Sequence, residues 1–254
     1  MQTTSRPVTS IAAPNVTWEP LPDDYILPDD PVDNLSQPLL AAVLREILEL
    51  AGLVEPTMLI ATNFGLCATV EDKTVVKAPD WLYAPDVEPL PENQTRRSYT
   101  PHLQGGAVSV VMEFISDTEG SEYSVKPHYP YGKWWFYERI LRVPSYFIFW
   151  PESGRLEGYQ LTGERYEPQK TDERDLYWVD SLGLFLGVWQ GKKADRVGYW
   201  LRWWDTEGNM MPWGTERVAQ VEQQAEQERQ RAEQERERAE RLAEKLRSLG
   251  VDVE

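Results

Sequence analysis

Two carboxylates stand where a purely structural sequence avoids them. Glu113 lies late in Ala107-Val-Ser-Val-Val-Met-Glu-Phe-Ile115, an otherwise near-continuous apolar run. Strands that are apolar on both faces are usually buried on both, and a buried carboxylate needs a cation, a hydrogen-bond donor or a proton. Asp80 holds a comparable place in Val75-Val-Lys-Ala-Pro-Asp-Trp-Leu-Tyr83. Two such acids on adjacent strands can bind one divalent ion, because Mg2+ takes a couple of carboxylates and keeps several waters. Lys133 opens the aromatic-rich stretch that follows the Glu113 run. An ammonium beside a metal-bound water can orient it or stabilise negative charge on a phosphate. Each residue also has a plainer reading: a strand-end acid, a turn residue after proline, and a solvated lysine at a helix start.

The elements that must position these groups follow from pattern. Residues 1–35 carry Pro7, Pro14, Pro20, Pro22, Pro28 and Pro31 among many Ser, Thr and Asp, which reads as an extended arm. Leu39, Val43, Ile47 and Leu50 recur at helical spacing between a capping Ser36 and the stop at Gly52. Short apolar runs then predict strands at 58–62, 65–70, from Val75 to Tyr83, and at 107–115. Tyr131 to Arg142 reads as a helix stopped by Pro144, and 145–150 as a strand. Further strands are expected at 156–161, 176–179 and 184–189. Strands around an interposed helix, with short links, imply an α/β or α+β sheet domain over 36–214.

Residues 215–254 form a third part. Thr215 to Leu249 contains neither Gly nor Pro, and Val218, Ala225, Ala232, Ala239 and Leu246 recur every seven residues. Val221, Leu242 and Leu249 fill the companion position, which Glu228 and Glu235 interrupt. The heptad is thin and partly charged, so a solvated single helix and a coiled coil through 215–249 that makes a homo-oligomer both remain open.

Composition bounds the function. The chain has 254 residues, 26 Lys plus Arg against 42 Asp plus Glu, and a net charge of −16. Residues 215–254 hold 11 acids and 8 bases, so the excess belongs to the rest of the chain. That argues against a passive nucleic-acid binder, which displaces counterions with basic patches. Cys67 is the only cysteine, excluding an internal disulfide and a cysteine-cluster zinc site, and two histidines disfavour a His-based metal site. No secretory or membrane-spanning run is evident, so a cytoplasmic protein without a membrane partner is the expectation.

In chain order, Pro79-Asp80, Val-Val-Met-Glu113-Phe, Gly132-Lys133-Trp-Trp-Phe-Tyr137 and Val143-Pro-Ser-Tyr-Phe-Ile-Phe-Trp-Pro151 resemble the Uma-two family of restriction endonuclease-like proteins. The likeness continues through Leu156-Glu-Gly-Tyr-Gln-Leu, Asp180-Ser-Leu-Gly-Leu-Phe-Leu-Gly-Val-Trp-Gln-Gly191 and the Ala-Glu-Gln-Glu-Arg tail. It implies a PD-(D/E)xK nuclease-type core: a mixed β-sheet flanked by helices, here followed by a long charged C-terminal helix. It also implies that Asp80 and Glu113 hold Mg2+ and that Lys133 positions water or the scissile phosphate during DNA hydrolysis. Ile115 occupies the place of the usual lysine, which the Lys-x-x-x-Tyr pattern of Lys133 and Tyr137 replaces. The segment between Glu113 and Lys133 is longer than in compact members, and Trp150 stands where an aspartate commonly precedes the proline. Glu119 and Glu122 are candidates for the acid that usually precedes the lysine.

Two other functions compete. One is a catalytically inactive nuclease-fold interaction protein that associates through its C-terminal helix. The other is a ligand platform built from the six tryptophans between Trp178 and Trp213, though aromatics at that density more often pack a core.

Overall fold

The structure, a computed structural model, describes residues 15–20, 36–115 and 121–248. Most of the arm expected at 1–35, and Glu119 and Leu249, lie outside them. In chain order the elements begin with β1 (Val16–Thr17), α1 (Ser36–Leu50), β2 (Leu59–Ala61), β3 (Gly65–Val70) and β4 (Lys73–Lys77). Then come β5 (Trp81–Ala84), β6 (Ser98–Tyr99), β7 (Val110–Phe114) and a 3-10 turn at Ser121–Tyr123. Next are α2 (Lys133–Trp135), a π-helical turn (Phe136–Ile140), β8 (Ser145–Trp150), β9 (Arg155–Thr162) and β10 (Arg165–Pro168). The last are β11 (Tyr177–Val179), β12 (Leu184–Lys193), β13 (Arg196–Trp204) and α3 (Gly214–Ser248). Two compact units result, Met1–Met211 and Pro212–Glu254.

The first unit is built on a six-stranded sheet of order β10-β9-β8-β7-β5-β2. Only β7 and β8 run parallel, joined by the crossover that carries α2, so the sheet is mixed. All residues of β5, β7 and β8 are buried, as expected for central strands covered on both faces. Register separates the faces. Trp81 pairs with Met112 and Met112 with Phe147, which places these side chains together. Against them stand α1 and β13: the Trp203 indole donates to the Leu44 carbonyl at 3.1 Å and lies 5.9 Å from the Trp81 ring. The helix turns Leu40, Val43, Leu44, Ile47 and Leu48 inward; Val43 and Ile47 of the expected stripe are buried, while Leu39 is half-buried and Leu50 is exposed near the stop at Gly52, φ +69°.

The opposite face carries Leu82, Val111, Tyr146 and Ile148. It is covered by Phe136, Tyr137 and Ile140 of the π turn and by Leu66, Ala68 and Val75 of a smaller sheet. In that sheet β3 pairs with β1, β4 and β6.

Two expectations need correction. The run from Val75 to Tyr83 is not one strand: β4 and β5 belong to different sheets, separated around Pro79, which cannot donate a ladder hydrogen bond. The helix expected at 131–142 is only α2 plus a π turn, closed by Leu141 N–H to the Phe136 carbonyl at 3.0 Å. The late tryptophans pack as their density suggests, mostly in β11-β12-β13, an antiparallel sheet whose Trp200 and Trp203 are buried.

In the second unit α3 runs 35 residues with Val218, Val221 and Leu242 exposed. Ion pairs Glu226–Arg229, Arg236–Glu240 and Glu237–Arg241 stitch its turns at spacings of three and four. No helix among the described residues is long and apolar enough to cross a membrane.

Candidate active site

Glu113 is fourth in β7 and 1% exposed, with its side chain on the face covered by the π turn. Both of its carboxylate oxygens have a partner. Lys133 Nζ lies 3.1 Å from Oε2, and the Tyr137 hydroxyl donates to Oε1 at 2.9 Å. Lys133 and Tyr137 stand four residues apart, so one side of the α2–π segment delivers both groups to one acid. Lys133 is 25% exposed and also pairs with Glu122 Oε1 at 3.4 Å. Glu122 comes from the 3-10 turn and is itself buried.

Asp80 sits in the bend just before β5. The pairing Trp81–Met112, extended one residue, sets Asp80 across from Glu113 on the same face. Asp80 Oδ2 accepts the Phe114 backbone N–H, which ties the bend to β7. Asp80 also acts electrostatically on both Lys133 and Tyr137. The structure therefore brings Asp80, Glu113 and Lys133 to one place, with Glu122 and Tyr137 beside them.

The charges are strongly interdependent. Burial pushes the Glu113 carboxyl above its ordinary range, and Glu122 adds to this, although Lys133 and Tyr137 pull the other way. Burial would lower the Lys133 ammonium, but Glu113, Glu122 and Asp80 outweigh it and push it upward, so it stays protonated at neutral pH. Burial also holds the Tyr137 and Tyr146 hydroxyls well above their ordinary value, so both act as neutral hydrogen-bonding groups.

Among the described residues no group of three or more His, Cys, Asp or Glu is placed to hold a metal ion. Asp80 and Glu113 offer a hard, all-oxygen pair. That donor set fits Mg2+, which binds through one or two carboxylates and retains water, and does not fit a structural zinc site.

Gly132 lets the two approaching segments meet. A Cβ there would fall 1.9 Å from the Ser124 carbonyl oxygen, whose residue follows Glu122 and Tyr123 in sequence. Gly132→Ala must therefore separate the start of α2 from the 3-10 segment. It should cost about 1–3 kcal/mol, the usual penalty of overpacking. Thermal or urea unfolding measures this, and an unchanged midpoint would show that the two segments are not held together through this contact.

Spacing left part of the environment unread. Arg155, Glu157 and Tyr159 alternate along β9 and share the Glu113 face, a signal present in Arg155-Leu-Glu-Gly-Tyr159. The contribution of Tyr123 had no comparable signal, because it depends on how the 3-10 turn folds over the sheet.

The model of the Uma2 (Uma-two) family, described as "putative restriction endonuclease", matches residues 24–190. The mixed sheet with flanking helices is consistent with a restriction-endonuclease-like fold. Neither a curated protein nor a solved structure gives a significant match.

Proposed function

Because the chain belongs to the Uma2 family of restriction endonuclease-like proteins, we propose that it is a Mg2+-dependent endonuclease hydrolysing DNA phosphodiester bonds. In this reading residues 36–214 are the nuclease-like domain, 215–254 an appended charged helix, and 1–35 an arm. The observation that carries it is the buried convergence of Lys133 on Glu113, with Asp80 beside them in the bend that leads into the neighbouring strand. A purely structural core gains little from such an arrangement, since buried ion pairs often lose to apolar packing.

Asp80 and Glu113 would hold the metal ion. When bound, it supplies Lewis-acid stabilisation of phosphoryl charge and lowers the pKa of a coordinated water. The protein's own groups do the rest. Tyr137 fixes the Glu113 carboxylate through Oε1. Glu122 holds the Lys133 ammonium in place. Lys133, pushed up and therefore protonated at neutral pH, is no general base; it offers fixed positive charge to the phosphate as charge builds in the transition state.

Supercoiled plasmid should be nicked or linearised by the wild type in Mg2+, and preserved in excess chelator or with Asp80→Ala. Equal cleavage by Asp80→Ala rejects the site. A second reading draws on α3, whose exposed Val218, Val221 and Leu242 repeat at heptad-compatible positions. It makes the protein a non-catalytic member that associates with a second copy through this helix. The readings part on the same plasmid: the second requires no cleavage in Mg2+ or Mn2+.

A further inference from the structure

The row of side chains that contains Glu113 does not end there. Glu113 pairs with Ile148 and Ile148 with Glu157, so Glu157 lies on the same face two strands away. At the usual strand spacing that is about 10 Å. Arg155, two residues before it, pairs with Trp150 and lays its guanidinium over that indole, 4.3 Å from the ring centroid. Glu157 forms an ion pair with Arg155 and accepts hydrogen bonds from the Tyr123 and Tyr159 hydroxyls. Burial would raise the Glu157 carboxyl, but these donors hold it below its usual range. Tyr123 directly follows Glu122, the partner of Lys133, so this cluster adjoins the candidate site.

Arg155 is fixed on two sides yet its side chain remains 61% exposed. A guanidinium carries five donors, so those not facing Glu157 remain for another acceptor. Base stacking is a poor use of this corner. Tyr123 is stacked against Trp134 and Trp150 at centroid distances of 6.0 and 6.3 Å, and Trp150 is covered by Arg155. A held, exposed guanidinium suits a phosphate: its fork matches phosphate oxygens, and little conformational freedom is left to lose. The turn that aims it depends on Gly154, at φ +75°, where a Cβ would strike the Tyr199 ring at 2.5 Å.

We propose that Arg155 is a positioning residue that grips a backbone phosphate flanking the scissile one, with Trp150, Glu157 and Tyr123 holding it in place. The inference rests on the nuclease reading and adds what that reading lacks. In a chain of net charge −16, the nuclease reading assigns Lys133, shared with Glu113 and Glu122, to the scissile phosphate and gives the flanking phosphates no cation. Arg155 gives the substrate strand a cationic contact that the metal-binding carboxylates cannot.

The test is anisotropy titration of a labelled DNA duplex in Ca2+, which permits binding without turnover, across a range of salt concentrations. Wild type, Arg155→Ala, Arg155→Lys and Arg174→Ala are compared, each shown folded by its melting curve. Arg155→Ala should weaken binding to all sequences alike and reduce the slope of log affinity against log salt by about 0.9, one phosphate contact. In Mg2+ it should raise KM more than it lowers kcat. Arg155→Lys should restore the slope, while Arg174→Ala, which removes an exposed charge paired with Asp172, should not change it. If wild type binds and Arg155→Ala keeps its full slope, this inference fails and the nuclease reading stands. If wild type neither binds nor cleaves DNA, the nuclease reading fails and this one with it.

Discussion

Lys133→Met should abolish most Mg2+-supported cleavage, by about 10²–10³-fold, the loss typical of removing one preorganised electrostatic contact to a transition state. The same change has a second effect that must be separated from the first. Lys133 is the cation between Glu113 and Glu122, both buried, at 3.1 and 3.4 Å. Removing one partner of a buried ion pair usually costs about 3–5 kcal/mol, because the other charge is left uncompensated. Partial exposure of Lys133 places the expected cost toward the lower end. The double variant Glu113→Gln/Lys133→Met removes the charge stranded on Glu113 and keeps a side-chain oxygen for the Tyr137 hydroxyl, while buried Glu122 still lacks Lys133. It should recover part of the lost stability and none of the cleavage. Denaturant midpoints and plasmid cleavage at a temperature where each variant is folded give the two readouts. Cleavage within tenfold of wild type by folded Lys133→Met would remove Lys133 from the mechanism. A double variant no more stable than Lys133→Met would show that the pair with Glu113 is not the source of the cost.

How much of this was readable in advance depended on whether a residue's setting was local. Glu113 stands out because a near-continuous apolar run is a local property, and the structure buries it in the middle of the sheet. Asp80 lies within the run from Val75 to Tyr83 that reads as one strand, but its plainer reading, a turn residue after proline, is the one that holds: it occupies the bend where the chain passes from the small sheet to the large one. Pro79 was the available sign of that break. The α2–π segment is legible as helix but not as π helix, since apolar spacing does not distinguish bonds to i+4 from the bond to i+5 seen from Leu141 to Phe136. β13 carries no alternating pattern, because Trp200, Leu201, Trp203 and Trp204 are apolar on both faces and only Arg202 interrupts them. Arg155 and Glu157 were hidden differently. Their strand was expected, but their proximity to Glu113 exists only through the β7–β8–β9 register, which no local pattern encodes.

Glu113→Gln isolates the other half of the ion pair, and its effect on stability should depend on pH. The folded-state pKa of Glu113 is raised, chiefly by burial, above the value of about 4.3 expected in the unfolded chain. Folding therefore favours the protonated form. The stability this group contributes is fully present below about pH 4.3 and is lost as pH rises through its folded-state pKa. Lys133 is raised too, so its contribution holds below about pH 10.4 and does not vary across the acid-to-neutral window. Glu157 is lowered, so its contribution is present above about pH 4.3 and declines only in acid; it is common to both proteins and cancels in their difference. Glutamine keeps the shape and the Tyr137 contact but has no proton to lose. Glu113→Gln should thus gain stability relative to wild type as pH rises from about 4 toward 8, even though it destroys the proposed metal site. Urea midpoints at four or five pH values measure the difference. Parallel curves would mean that Lys133 and Tyr137 fully offset the burial of Glu113. A difference that moves in favour of wild type would mean they overcompensate it, and the acid would then be held as a stable anion without any need for a bound cation.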